Sequence, residues 1–281
     1  MSRNPYLNES SAPNLQLSAF AFIDILGYSD LIREAEESGQ QQALLERIHS
    51  ALKECRLWLD DRQGPAELQV RFGGKDSYAL KAFTDNIVIG WPIERDGEIE
   101  LGEAFECLML FQFDMALKGL FVRGGISIGD AFIDEFAVIG NALTAAHSAE
   151  SKLARDPRIV LTGEAVKLTK QHLSAYGDQS WTRQNQVLLQ DPDGQWFVNY
   201  LECIMIAEHE QGPFFENLMQ HKQEVEKKLS AFKQRPAVWS KYAWVANYHN
   251  AFCDMYPHHF DNSHKINLEL FRAAPRRIIA S

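Results

Sequence analysis

"YALKAFTDNIVIGWP", residues 78–92, sets two apolar segments on either side of Thr84-Asp85-Asn86. Asp and Asn favour tight turns, and the flanking segments are rich in apolar and β-branched residues, so the stretch predicts a β-hairpin with Asp85 at its bend. Upstream, "LSAFAFIDI" (17–25) is almost continuously apolar, as expected of a central strand covered on both faces, and Gly27 ends it. A short helix from Ser29 follows. A longer one runs over "QALLERIHSALKECRLWL" (42–59), where Leu44, Ile48, Leu52, Cys55 and Leu59 share a face. Downstream of the hairpin, "LGEAFECLMLFQFDMALKG" (101–119) reads as a buried helix closed by Gly119, and "FVRGGISIG" (121–129) as a strand.

The order strand, helix, strand, strand, helix, strand is that of a ferredoxin-like split β-α-β repeat, within an α/β (α+β) fold class. It predicts that the first strand ends beside the hairpin, making neighbours of Asp24 and Asp85, which are 61 positions apart in the chain. After this core, "IGNALTAAHSAESKLA" predicts a helix with Asn141 as N-cap. A strand at "RIVLTG" (158–163), a helix from Glu164 and a hairpin through "DPDG" (191–194) complete the domain. Residues 1–16 are polar and turn-rich and predict a flexible or loosely packed leader; residues 17–206 form the α/β domain, and 207–281 a helical extension broken at Pro236.

Composition bounds the function. The 281 residues are 46% hydrophobic, enough for a substantial core, and the net charge of −10 argues against a protein that grips nucleic acid by its backbone. Cys55, Cys107, Cys203 and Cys253 are dispersed, which suits reduced thiols better than a zinc module or disulfide framework. No signal-peptide core and no uncharged run long enough to cross a bilayer is present, so the expectation is a cytoplasmic protein without a membrane partner.

Two carboxylates converging at strand ends can hold a pair of hard divalent cations, magnesium or manganese, which take oxygen ligands. The turn Leu26-Gly27-Tyr28-Ser29 adds backbone N–H groups at a helix start, where anions are favoured. Equally, an Asp at a strand end can cap a helix, and Asp85 can simply shape its bend; spacing does not choose between these readings.

"FIDILGYSDLI" (22–32), "KAFTDNIVIGW" (81–91), "FVRGGISIGDAF" (121–132) and "VIGNALTAAHSAES" (138–151) resemble, in order and character, the four hallmark segments of class III nucleotidyl cyclases. "RGGISIG", "GNALTAAHSAES", "DGQWFVNYL" and the aromatic tail are more narrowly similar to the pyrimidine cyclases of bacterial Pycsar anti-phage systems. Those enzymes make cyclic UMP or cyclic CMP, which a separate effector reads. The resemblance implies that Asp24, Asp85 and the Ile25 carbonyl bind two metals, that Leu26 to Ser29 wrap the triphosphate, and that Arg123 contacts phosphate. It places Lys81 and Asn141 at the base-reading positions, supplied across a homodimer interface so that active sites are shared.

The positions that carry a transition-state asparagine and arginine in purine enzymes are here Thr144 and Ser148, and the later phosphate-directed lysine has no clear counterpart. Serine brings neither charge nor a forked donor. Lys81 can only donate, whereas Asn141 can donate and accept, a pair that suits uracil and, with the amide rotated, cytosine. Tyr28, Tyr78 and Phe83 could narrow the base pocket, and are equally explained as core. The expected activity is a uridylate cyclase making 3′,5′-cyclic UMP from UTP. The alternatives are a cytidylate cyclase acting on CTP and a catalytically silent nucleotide-binding signalling module.

Overall fold

The computed structural model describes residues 4–62, 76–177, 182–206 and 215–272. The chain divides into two compact units, Met1–Cys203 and Ile204–Ser281.

The first unit is a mixed α/β structure built on β1, Gln16–Ile25. After it come helices α1 (Tyr28–Ser38) and α2 (Gln41–Arg62), the hairpin of β2 (Ala79–Phe83) and β3 (Asn86–Pro92), helix α3 (Glu98–Leu117) and strand β4 (Val122–Ile133). The short β5 (Val138–Ile139) folds back on β4, and helix α4 spans Asn141–Lys152. Then follow β6 (Ile159–Leu161), α5 (Gly163–Tyr176), the one-turn α6 (Arg183–Gln186), β7 (Leu188–Gln190) and β8 (Trp196–Val198). The sheet order is β2-β3-β1-β4-β6-β8-β7. β1 pairs antiparallel with both β3 and β4, and among the described residues only the β4–β6 pair is parallel.

From Ala19 to Ile23 β1 is apolar and buried on both faces. Ala19, Ala21, Ile23 and Ile25 fill one side with Ile87, Ile89 and Trp91 of β3, where α3 is in contact with β1, β3 and β4. Phe20 and Phe22 fill the other with Val88, Tyr6 and the small face Ala142 and Ala146 of α4. Helix α4 sits close because β4 presents small residues to it. A Cβ at Gly125 would come within 2.3 Å of the Ala146 carbonyl oxygen, and the Ser127 hydroxyl donates to the Ala142 carbonyl at 2.7 Å. The segment "GGISIG" is thus a helix-docking surface written into a strand.

Residues 4–7 depart from the expected leader, whereas 8–15 are exposed. Tyr6 is fully buried, its hydroxyl donates to Ser18 Oγ at 2.9 Å, and its ring occupies the space that a side chain at Gly90 would need. Asn4 Nδ2 donates to the Ile133 carbonyl at 2.7 Å. One aromatic side chain and one amide fasten an otherwise polar segment, because burying a tyrosine outweighs ordering a short stretch of chain.

Arg158 ties the β7–β8 hairpin to β6: its guanidinium is 1% exposed and pairs with Asp191 and Asp193 of the turn. On α2, Leu44, Ala51 and Leu59 are buried; the side chain of Cys55 lies outside the described set.

The second unit pairs helices α7 (Phe215–Ala231) and α8 (Pro236–Met255), with Pro236 in the first turn of α8, where a missing N–H costs nothing. Leu218, His221, Val225 and Leu229 line one face of α7; Tyr242, Val245, His249 and Phe252 are among the buried residues of α8. Phe232 stacks on Tyr242, and the Asn250 amide pairs with both backbone groups of Ile266. Among the described residues no helix is long and apolar enough to cross a membrane.

Candidate active site

Asp24, the penultimate residue of β1, lies opposite Asn86 of β3 on one side and Arg123 of β4 on the other. The hairpin turn is two residues long, Thr84-Asp85, and the Ile25 amide donates to the Asp85 carbonyl at 3.0 Å. Register and the two-residue turn therefore bring Asp24, Asp85 and Arg123 to one end of the sheet's central strands.

Each side chain is held. Asp85 Oδ1 accepts from Thr84 Oγ1 at 2.8 Å and from Asn86 Nδ2 at 3.0 Å. Thr84 has φ 55°, a left-handed conformation unfavourable for a β-branched residue, so the turn stores strain beside the carboxylate. Arg123 Nε donates to Asp24 Oδ2 at 3.0 Å, and Glu150 Oε1 of α4 lies 2.7 Å from the same nitrogen. Glu150 had no place in the sequence reading; the available signal was an acid in register with buried Ala142, Ala146 and Ala149, which requires a partner.

Burial pushes the Asp24 carboxyl above its ordinary range, the Arg123 guanidinium pulls it back, and the adjacent Asp85 carboxylate raises it again. Asp24 and Asp85 as neighbours, with Arg123 and the acid Glu150 on the β4 side of Asp24, offer the oxygen ligands that a divalent cation of the magnesium or manganese type takes. Among the described residues no cluster of three His, Cys, Asp or Glu side chains forms a cage, so such an ion would draw its other ligands from main-chain carbonyls such as Ile25, water and phosphate.

The turn after β1 has Gly27 at φ 74°, a conformation that favours glycine, in the N-cap position of α1. No side chain caps that helix end. Leu26 N donates to the Phe121 carbonyl at 2.8 Å, which docks the turn on the β4 approach, while Tyr28 is half-buried and Ser29 exposed.

The residues expected to read the base stand apart within one chain. Lys81, opposite Val88 on β2, donates from Nζ to the Glu135 carbonyl at 3.0 Å. It lines a pocket of about 480 Å³ with Asn4, Arg56, Tyr78, Asp134 and Glu135; Asp24, Asp85 and Arg123 are not among its lining residues. Asn141 is not the N-cap of α4. Gly140 takes that position at φ 136°, packed so tightly on Asp130 that no Cβ fits, and the Asn141 amide instead lies over Gly129. Asn141 and Thr144 are exposed, Ser148 is half-buried, and His147 stands edge-on to Phe22 at 5.0 Å. Tyr78 is buried, whereas Phe83 is 44% exposed.

No protein-family model matches the chain, and no curated protein matches it in sequence.

Proposed function

We propose that this protein is a pyrimidine nucleotide cyclase that converts UTP to 3′,5′-cyclic UMP and pyrophosphate, as a second-messenger synthase in anti-phage defence. The observation that carries the reading is the convergence of Asp24 and Asp85 at one end of the sheet's central strands, with Arg123 of β4 bonded to Asp24 of β1.

In this reading Asp24, Asp85 and the Ile25 carbonyl hold two divalent cations, Mn²⁺ or Mg²⁺. Bound there, the cations supply a lowered pKa for the ribose 3′-hydroxyl and charge compensation for the triphosphate. The 3′-oxygen forms a bond to the α-phosphorus, the bond from that phosphorus to the bridging oxygen of the β-phosphate breaks, and the hydroxyl proton leaves to solvent. Arg123 offers its guanidinium to phosphate oxygens, and the Leu26–Ser29 turn offers backbone N–H groups to the triphosphate. Phosphoryl transfer needs positioning and charge compensation more than a protein nucleophile. Lys81 and Asn141 read the base from the second subunit of a homodimer, in keeping with their separation from the aspartates within one chain. The product is read by a separate effector.

Thr144 and Ser148 keep a second reading in play, a silent nucleotide-binding module, and CTP is the alternative substrate. The test is to incubate purified protein with each of the four ribonucleoside triphosphates and Mn²⁺ and to resolve products by mass. Cyclic UMP formation that is lost in Asp24→Ala and Asp85→Ala, and partly restored on mixing Asp24→Ala with Lys81→Ala chains, is the expected result. No cyclic product from any substrate at high protein concentration refutes the enzyme reading.

A further inference from the structure

Arg123 makes both of its ion pairs through Nε, to Asp24 at 3.0 Å and to Glu150 at 2.7 Å. The single Nε–H is directed to Asp24, and neither terminal NH₂ group bonds to protein among the described residues. Asp24 is therefore claimed twice. A cation between Asp24 and Asp85 needs the same carboxylate that receives the Arg123 proton, and a guanidinium released from its only hydrogen bond would be free to leave the site.

Glu150 is placed to prevent this. Its side chain is 4% exposed, on a helix that the absence of a Cβ at Gly125 allows to approach β4, with Gly125 set against the Glu150 amide nitrogen itself. A buried carboxylate is costly without a cationic partner, so its attachment to Arg123 is strongly favoured. We propose that Glu150 is a positioning residue: when a divalent cation draws Asp24 away, the Nε–H of Arg123 turns to Glu150, and the two free NH₂ groups stay beside the aspartates for phosphate oxygens. The inference rests on the cation-binding part of the cyclase reading. It gives Arg123 two roles, a partner for the Asp24 carboxylate when no cation holds it and a phosphate clamp when one does, with Glu150 common to both.

The test uses the full chain labelled with ¹⁵N-arginine, the Arg123 Nε–Hε resonance being assigned by its loss in Arg123→Lys. In wild type the resonance is expected to shift on saturation with Mg²⁺ and to remain protected from solvent exchange. In Glu150→Gln it should be present without Mg²⁺, held by Asp24, and exchange at least about tenfold faster, or vanish, with Mg²⁺. Glu150→Asp, too short to reach, should behave alike and serves if the glutamine variant does not fold by circular dichroism. Loss of the wild-type resonance with Mg²⁺, or its persistence in both Glu150 variants, overturns the role of Glu150 and leaves the cyclase reading standing. A wild-type spectrum that Mg²⁺ does not change overturns both.

Discussion

Acidification should loosen the C-terminal helix pair at a pH where its carboxylates are still ionised. His221 of α7 and His249 of α8 are both 0% exposed and stack with centroids 5.2 Å apart and planes 5° from parallel. Their Nδ1 atoms are 3.0 Å apart, and His249 Nε2 lies 2.9 Å from the His264 carbonyl. A carbonyl only accepts, so His249 carries its hydrogen on Nε2, its Nδ1 is bare, and His221 donates from Nδ1. A further proton on His249 Nδ1 would face that donor. The charged groups nearby are Lys222, which opposes protonation, and His264, itself paired with Asp261.

Burial, with these neighbours, lowers His249 to about 4, and burial with His249 alongside lowers His221 well below 6.5. Both folded values lie below the unfolded one, so the unfolded state takes protons first. The stability is whole above about pH 6.5 and is lost as the pH falls towards 4. Between pH 7 and pH 5, His249 alone costs about 2 kcal/mol, a roughly 20-fold rise in the opening equilibrium, and His221 adds to it. Hydrogen exchange read by mass spectrometry on peptides from 215–231 and 236–255, corrected for intrinsic rates, should show protection falling by at least that factor. His249→Gln, which keeps a donor for the His264 carbonyl and removes the titration, should flatten most of the dependence. Unchanged protection of both helices between pH 7 and pH 5 in wild type refutes the reasoning.

Gly125→Ala should destabilise the first unit by about 1–3 kcal/mol in urea titrations, because the added methyl meets the Ala146 carbonyl oxygen at 2.3 Å, a backbone atom that cannot step aside. Tyr6→Ala should cost about 3–5 kcal/mol by the same assay, whereas a loose leader would tolerate it without effect. Asp191→Ala removes one of the two carboxylates paired with the buried Arg158 guanidinium, and a loss of about 3 kcal/mol is expected in thermal unfolding. Thr84→Gly relieves the left-handed strain and should raise stability by about 1 kcal/mol in urea titrations; on the proposed cyclase reading it should also lower cyclic UMP formation, by freeing Asp85 from its Oγ1 donor.

The apolar runs and the turn chemistry of Thr84-Asp85 are local properties, and from their order along the chain the sequence by itself indicated that the first strand ends beside the hairpin, with Asp24 next to Asp85. A two-residue bend and a strand of period two leave little freedom about which side chains share an edge. The Pro236 break and the two tail helices were legible for the same reason. What only the tertiary structure decided involves contacts between elements whose approach no local pattern specifies. Glu150 reaches Arg123 because α4 settles on a strand stripped of side chains at Gly125, and Tyr6 reaches Ser18 because Gly90 leaves room for its ring. His221 and His249, 28 residues apart on different helices, find each other through the packing of those helices. A polar group displays its type in sequence; the partner that makes its burial affordable is known only once the chain is packed.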